Sequence, residues 1–147
     1  MDDDRPPALA VLDASVAVRW VVPERGSEEA AKLLGAAVGW LAPRLMLVEA
    51  AGAFRRKVDA GELNASVAVQ ALEFLVDVAD GGLIHLSDDE TLVASALTLA
   101  MVLKHAVPDC MYLALAEREG AALATADARL ARLAASRGVE VWRVPAA

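Results

Sequence analysis

Ala8-Leu9-Ala10-Val11-Leu12-Asp13-Ala14-Ser15 is the stretch on which the reading of this chain turns. Five apolar residues in succession fit a strand buried on both faces, as found inside parallel sheets covered by helices. The run stops at an aspartate, and Asp13-Ala14-Ser15 then opens a short helix through about Trp20. A strand that ends in an acid and passes straight into a helix makes one βα unit. The alternation continues to the end of the chain. It indicates an α/β fold with three layers, α/β/α, around a central, mainly parallel, five-stranded sheet.

Local signals place the other elements. Pro23 and Gly26 break the chain, and Ser27, followed by Glu28 and Glu29, reads as the N-cap of a helix reaching Gly35. Residues 38–41 form a strand, and Pro43 begins a long helix to about Ala60, stopped by Gly61. Asn64 caps a helix to about Ala79, ended by Gly81-Gly82. After a strand at 83–86, Ser87-Asp88-Asp89-Glu90 carries the acid-rich signature of a helix running to about Lys104. Pro108-Asp109 opens the next helix, with Gly120 as its C-cap. A strand at 121–125, a helix at 127–137 and a strand at 139–142 complete the series.

The chain has 147 residues, enough for one domain with a full core. That domain is expected over residues 8–145, preceded by a disordered acidic tail at 1–7. Hydrophobic residues make up 57% of the sequence, which leaves apolar surface for a partner. The longest charge-free run, Thr91 to Leu103, covers 13 positions; a membrane span needs about 18 or more apolar residues. The start, Met1-Asp2-Asp3-Asp4-Arg5, is acidic where a secretory signal would be basic. One cysteine, Cys110, excludes an intramolecular disulfide framework and fits a reducing cytoplasm. The net charge of −7 argues against bulk attraction to nucleic acid. Two bound divalent cations would offset four of those charges, and Asp2-Asp3-Asp4 supply the other three. Acidity therefore does not exclude a nucleic-acid substrate.

Four acids stand alone in apolar sequence. Asp13 has no charged neighbour between Arg5 and Arg19, Glu49 none between Arg44 and Arg55, and Asp109 none between Lys104 and Glu117. Asp127 follows the uncharged run from Ala121 to Ala126. A carboxylate buried alone costs several kcal/mol or takes up a proton. Asp13, Asp109 and Asp127 each fit a helix start, where aspartate is an ordinary cap. Glu49 lies within a helix, where no cap is needed. Four carboxylates from four segments suit a centre that holds Mg²⁺ with oxygen ligands, or two ions about 3.5–4 Å apart.

The wording of these segments adds a resemblance. Residues 11–20 (Val-Leu-Asp-Ala-Ser-Val-Ala-Val-Arg-Trp), Ala42-Pro43-Arg44-Leu45 leading to Glu49, Pro108-Asp109 with the seven residues after it, and Ala124-Thr125-Ala126-Asp127-Ala128-Arg129-Leu130 occur in the order found in PIN-domain ribonucleases. The chain resembles the VapC toxins of type II toxin–antitoxin systems in particular. The resemblance implies a Mg²⁺- or Mn²⁺-dependent endoribonuclease that cleaves by metal-activated water. Asp13 and Asp109 would be its core ligands, with Glu49 and Asp127 binding directly or through water. Ser15 and Thr125 would support the ligands. It further implies a cytoplasmic homodimer, neutralised by a cognate VapB-type antitoxin lying in an apolar groove. The family often has Asn three residues after the helical Glu; this chain has Gly52.

Other residues read less sharply. Arg19 either faces a phosphate or is solvated, and Arg55-Arg56-Lys57 reads chiefly as the wet side of a helix. Arg129 and Arg132 pose the same choice. His85 and His105 show no partner at ligand spacing, Cys110 fits a small buried residue, and Trp20, Trp40 and Trp142 fit core or interface anchors. A haloacid-type phosphatase would need a second Asp where Ser15 stands, and no Gly-x-Gly-x-x-Gly follows the first strand. The alternatives to a nuclease are a binding module that keeps the fold without activity, or another metal-dependent phosphatase.

Overall fold

The computed structural model describes residues 8–146; the acidic segment 1–7 lies outside the described residues. Five strands, β1 (Ala8–Leu12), β2 (Val38–Pro43), β3 (Ile84–Ser87), β4 (Ala122–Thr125) and β5 (Val141–Arg143), form one sheet in the order β3-β2-β1-β4-β5. Every pairing is parallel, so the mainly parallel sheet expected from the alternation is wholly parallel. Seven helices flank it: α1 (Ala14–Val21), α2 (Ser27–Leu34), α3 (Leu45–Asp59), α4 (Ala65–Asp80), α5 (Val93–Leu103), α6 (Val107–Glu119) and α7 (Ala128–Ser136). Helices α1 to α4 pack on one another, α5 and α6 form a second pair with α6 against β1, β2 and β4, and α7 lies against β4 and β5.

The central strands are as apolar as their position requires. Ala10, Val11, Leu12, Leu123 and Ala124 are fully or almost fully buried. The alanines also make room. Register places Ala10 beside Trp40 and Ala124 beside Trp142, and the two indoles meet across this small-residue strip with centroids 6.1 Å apart at 89°. Trp20 closes the cluster edge-on at 5.2 Å from Trp40, its Nε1 donating to Ala30 O. Such edge-to-face pairs add about 0.5–1.5 kcal/mol each beyond burial. The tryptophans are core anchors.

Three boundaries differ from the sequence reading, each because a distant segment wins. Pro43 ends β2, paired in register with Ser87, and does not open the helix. Helix α3 begins at Leu45, whose amide is taken by the Asp89 carboxylate at 3.1 Å, while Arg44 pairs with Asp88 at 2.7 Å. The acids of Ser87-Asp88-Asp89-Glu90 thus serve another helix's start. Their own segment forms a single 3₁₀ turn, Asp89–Thr91, before α5. Ser27 is likewise not the cap of α2. Gly26 holds that position at φ +92°, and a Cβ there would run into the Pro145 carbonyl and Val144. Ser27 Oγ instead ties Glu24 N to Val22 O.

Candidate active site

Parallel α/β sheets gather functional groups at the carboxyl ends of their strands. Asp13 follows β1 there, and its amide bonds to Ala124 O of the neighbouring strand at 3.1 Å. It occupies the N-cap position of α1, yet its side chain makes no capping bond. Instead Asp13 Oδ2 accepts from Ser15 Oγ and from Thr125 Oγ1, each at 2.7 Å. Both hydroxyls are themselves oriented. Ser15 Oγ accepts the Ala126 amide at 3.0 Å, and Thr125 Oγ1 accepts the Asp127 amide at 3.0 Å. The turn after β4 therefore aims two hydroxyl protons at one carboxylate oxygen.

Asp13 is 6% exposed. Burial pushes its carboxyl above the usual carboxylate range; the two hydroxyls pull it back, and Asp109 and Asp127 push it further up. Glu49 behaves alike. Burial raises it, Tyr112 lowers it, Asp13 and Asp109 raise it, and Arg56 lowers it. The fold thus places Asp109 and Asp127 within reach of Asp13's charge, and Asp13 and Asp109 within reach of Glu49's. Like charges so placed favour protonation or a bound cation.

Each acid is held differently. Glu49, on α3, accepts the Tyr112 hydroxyl of α6 at 2.5 Å. Burial drives the Tyr112 phenol far above its ordinary range, so it stays a proton donor. Asp109 lies in the first turn of α6, whose N-cap is Ala106, and is not a cap. Its Oδ2 lies 2.7 Å from His105 Nε2, in hydrogen-bond contact, with the His105 side chain 4% exposed. Asp127 does cap its helix: Oδ1 accepts the Arg129 and Leu130 amides at 2.8 and 3.2 Å.

Sequence reasoning missed His105 and Tyr112. Spacing could have found His105, which stands just ahead of α6 and four residues before Asp109; Tyr112, whose partner Glu49 lies on α3, carried no such signal. His105 does have a partner, contrary to the sequence reading. Arg19 also needs correction, being neither solvated nor free for a phosphate. It is buried, donating to Arg25 O at 2.8 Å and Ser15 O at 2.7 Å, and it pairs with Glu24 at 3.2 Å. Cys110 is buried and unpaired.

Among the described residues no group of three or more His, Cys, Asp or Glu side chains is placed to hold a metal ion by itself. The donor set nevertheless fits Mg²⁺ or Mn²⁺. It is all carboxylate, it is mutually repelling, and Mg²⁺ usually takes only one or two protein carboxylates and keeps its waters.

A parallel sheet in this order, with acids grouped at its carboxyl edge, defines the class: an α/β protein with an acidic cleft at the ends of its central strands. The chain belongs to the PIN domain family, whose match covers residues 10–136. PIN domains are generally metal-dependent nucleases. No curated protein matches the sequence. Among solved structures, the chain is similar to PAE2754 from Pyrobaculum aerophilum, with TM-score 0.67 and 18% identity over 94% of this chain and 88% of that one. It is also similar to a domain of a functionally unknown protein from Methanocaldococcus jannaschii, with TM-score 0.52 and 18% identity over 95% and 93%. At that identity these likenesses speak for the fold alone.

Proposed function

We propose that this chain is a Mg²⁺- or Mn²⁺-dependent endoribonuclease of the VapC toxin type, neutralised by a cognate antitoxin. The observation that carries the proposal is Asp13. It is a buried carboxylate with two oriented hydroxyl donors on one oxygen, charged neighbours in Asp109 and Asp127, and no capping role. Nothing in local structure requires a charge there.

Asp13, Asp109, Glu49 and Asp127 would hold the ion. Bound there, it would supply an activated water and offset charge at the scissile phosphate. The chain's own residues do the rest. Ser15 and Thr125 orient Asp13 and oppose the effect of burial on its charge, His105 fixes the Asp109 rotamer, and Tyr112 keeps Glu49 from swinging to solvent. Precise support of this kind is what carboxylates around a reactive centre need.

Two surfaces support the partner readings. Val93, Leu97 and Met101 lie one turn apart on α5 and are exposed, which suits a homodimer contact. Between α3 and α4 an apolar groove of about 300 Å³, lined by Phe54, Val58, Val69 and Leu72 among others, suits an antitoxin helix. Among the described residues no single helix is long and apolar enough to cross a membrane. A cytoplasmic location remains part of the proposal.

The test is cleavage of total RNA by purified protein with Mn²⁺, with EDTA, and by Asp109→Asn. We expect cleavage only in the first case, leaving 5′-phosphate ends that can be mapped, and arrest of growth on induction. Chelator-resistant cutting, or full activity in Asp109→Asn, rejects the assignment.

A further inference from the structure

Arg55, Arg56 and Lys57 form one basic run, but the fold gives its members different surroundings. Arg55 pairs with Asp59 at 3.6 Å on the open side of α3. Lys57 is largely buried, its Nζ 2.6 Å from Glu24 and 3.6 Å from Glu62. Arg56 is exposed and is paired with no acid among the described residues.

Its position is specific. Ser15, Arg19, Arg56 and Lys57 line one cleft of about 400 Å³. Ser15 is the residue that donates to Asp13, so this cleft adjoins the carboxylates. Arg19 pairs with Glu24, and Lys57 with Glu24 and Glu62; of the three cations lining the cleft, only Arg56 pairs with no acid among the described residues. Arg56 lies seven residues, two helical turns, after Glu49. The two therefore share one stripe of α3, about 10 Å apart along its axis. The guanidinium also acts on Glu49, lowering its carboxyl's affinity for a proton.

Gly52, between them, makes the seat. A Cβ built at Gly52 would stand 3.6 Å from Arg56 Nη1. The guanidinium thus lies against bare helix, in the space that a longer side chain at 52 would fill. A planar cation with a bidentate fork, uncommitted and beside a carboxylate cluster, is suited to a phosphate diester.

We propose that Arg56, seated over Gly52, binds an RNA phosphate flanking the scissile one and so fixes how the strand lies across the carboxylates. This rests on the nuclease reading and deepens it. The contact positions the backbone and reads no base. Arg56 binds substrate and takes no part in the chemical step.

The test uses a short oligoribonucleotide with a single cut site and the full-length protein with Mn²⁺. Arg56→Ala is expected to raise KM about tenfold with kcat nearly unchanged, and to reduce the salt slope of binding by about 0.7. Arg56→Lys should recover part of the loss. Gly52→Asn should mimic Arg56→Ala without lowering the melting temperature. A single charge-neutral methylphosphonate is then walked through the flanking linkages. At one linkage wild type should lose about the same tenfold, and Arg56→Ala should lose nothing further there, as coupled partners do. An unchanged KM in Arg56→Ala, or a loss additive at every linkage, overturns this inference and leaves the nuclease reading standing. Failure of wild type to cleave any RNA overturns both.

Discussion

Asp13→Asn should inactivate this protein and, without metal, make it more stable. The magnitude follows from its surroundings. In wild type the fold must either keep a carboxylate charged at 6% exposure, beside Asp109 and Asp127, or protonate it. Protonation caps the cost. Holding an aspartic acid neutral near pH 7 costs at most about 4 kcal/mol, from about 1.36 kcal/mol per pH unit above its ordinary pKa near 3.9. Asparagine removes that cost and keeps an oxygen for Ser15 and Thr125. Those two bonds then lose their charge assistance, about 1 kcal/mol each. The net gain is about 1–2 kcal/mol, a rise in melting temperature of about 3–6 °C for a domain of this size.

The sign of the pH dependence provides an independent check. A carboxyl whose folded pKa lies above its unfolded value is protonated in the native state at pH values where the unfolded chain has released the proton. Its stabilising contribution is complete below about pH 4 and is lost as pH rises through the raised value. The advantage of Asp13→Asn should therefore shrink to nothing as pH falls toward about 4. Added Mn²⁺ should reverse the order, because an ion at a hundredfold its Kd stabilises only the form that binds it, by about 2.7 kcal/mol. Thermal melts of both proteins in EDTA and in Mn²⁺, across this pH range, decide the matter. A variant less stable than wild type in EDTA near pH 7 would refute the reasoning, because Asp13 would then be a structural acceptor for Ser15 and Thr125.

Tyr112→Phe leaves Glu49 half-buried without its donor, so its carboxyl should rise further. The acidic limb of the cleavage–pH profile should move to higher pH, with about 1–2 kcal/mol of stability lost; an unmoved profile would show that Tyr112 only fills space. Light scattering should find a dimer at micromolar concentration, and Leu97→Glu on the exposed face of α5 should yield folded monomer. A strict monomer in the unmodified protein would remove α5 as the contact.

Legibility in the sequence followed the range of the interaction concerned. Residues 8–15 declared a strand passing into a helix because the apolar run and its break are local, although within the strand only Ala10 to Leu12 are buried and Ala8 and Leu9 stay exposed. Asn64, which caps α4 through Val67 N at 2.8 Å, and Gly120, left-handed at φ 61°, were readable for the same reason. Ser87-Asp88-Asp89-Glu90 misled because its acids satisfy the start of α3, more than forty residues earlier. Arg19 misled because the carbonyls that bury it come from its own helix and the following loop, a geometry no charge pattern encodes. Glu49 was conspicuous by isolation, but its partner Tyr112 lies 63 residues away, and only the fold joins them.

Three of the four acids could have been no more than helix caps, and the structure separates them on that point. Asp127 is a cap, with both amides on Oδ1; a carboxylate oriented through one oxygen can still offer the other, so capping and ligation do not compete there. Asp109 sits inside the first turn, where the helix dipole favours it, but its side-chain partner is a buried histidine and not the helix backbone. Asp13 holds the capping position and forgoes the cap, accepting two hydroxyls whose own acceptor sides are occupied by the amides of residues 126 and 127. A cap could be had more cheaply from Ser or Asn, which carry no charge into the interior. That this fold keeps a carboxyl there, in a setting that raises its pKa, is not explained by what the helix needs, and it is the ground on which the proposed cation site rests.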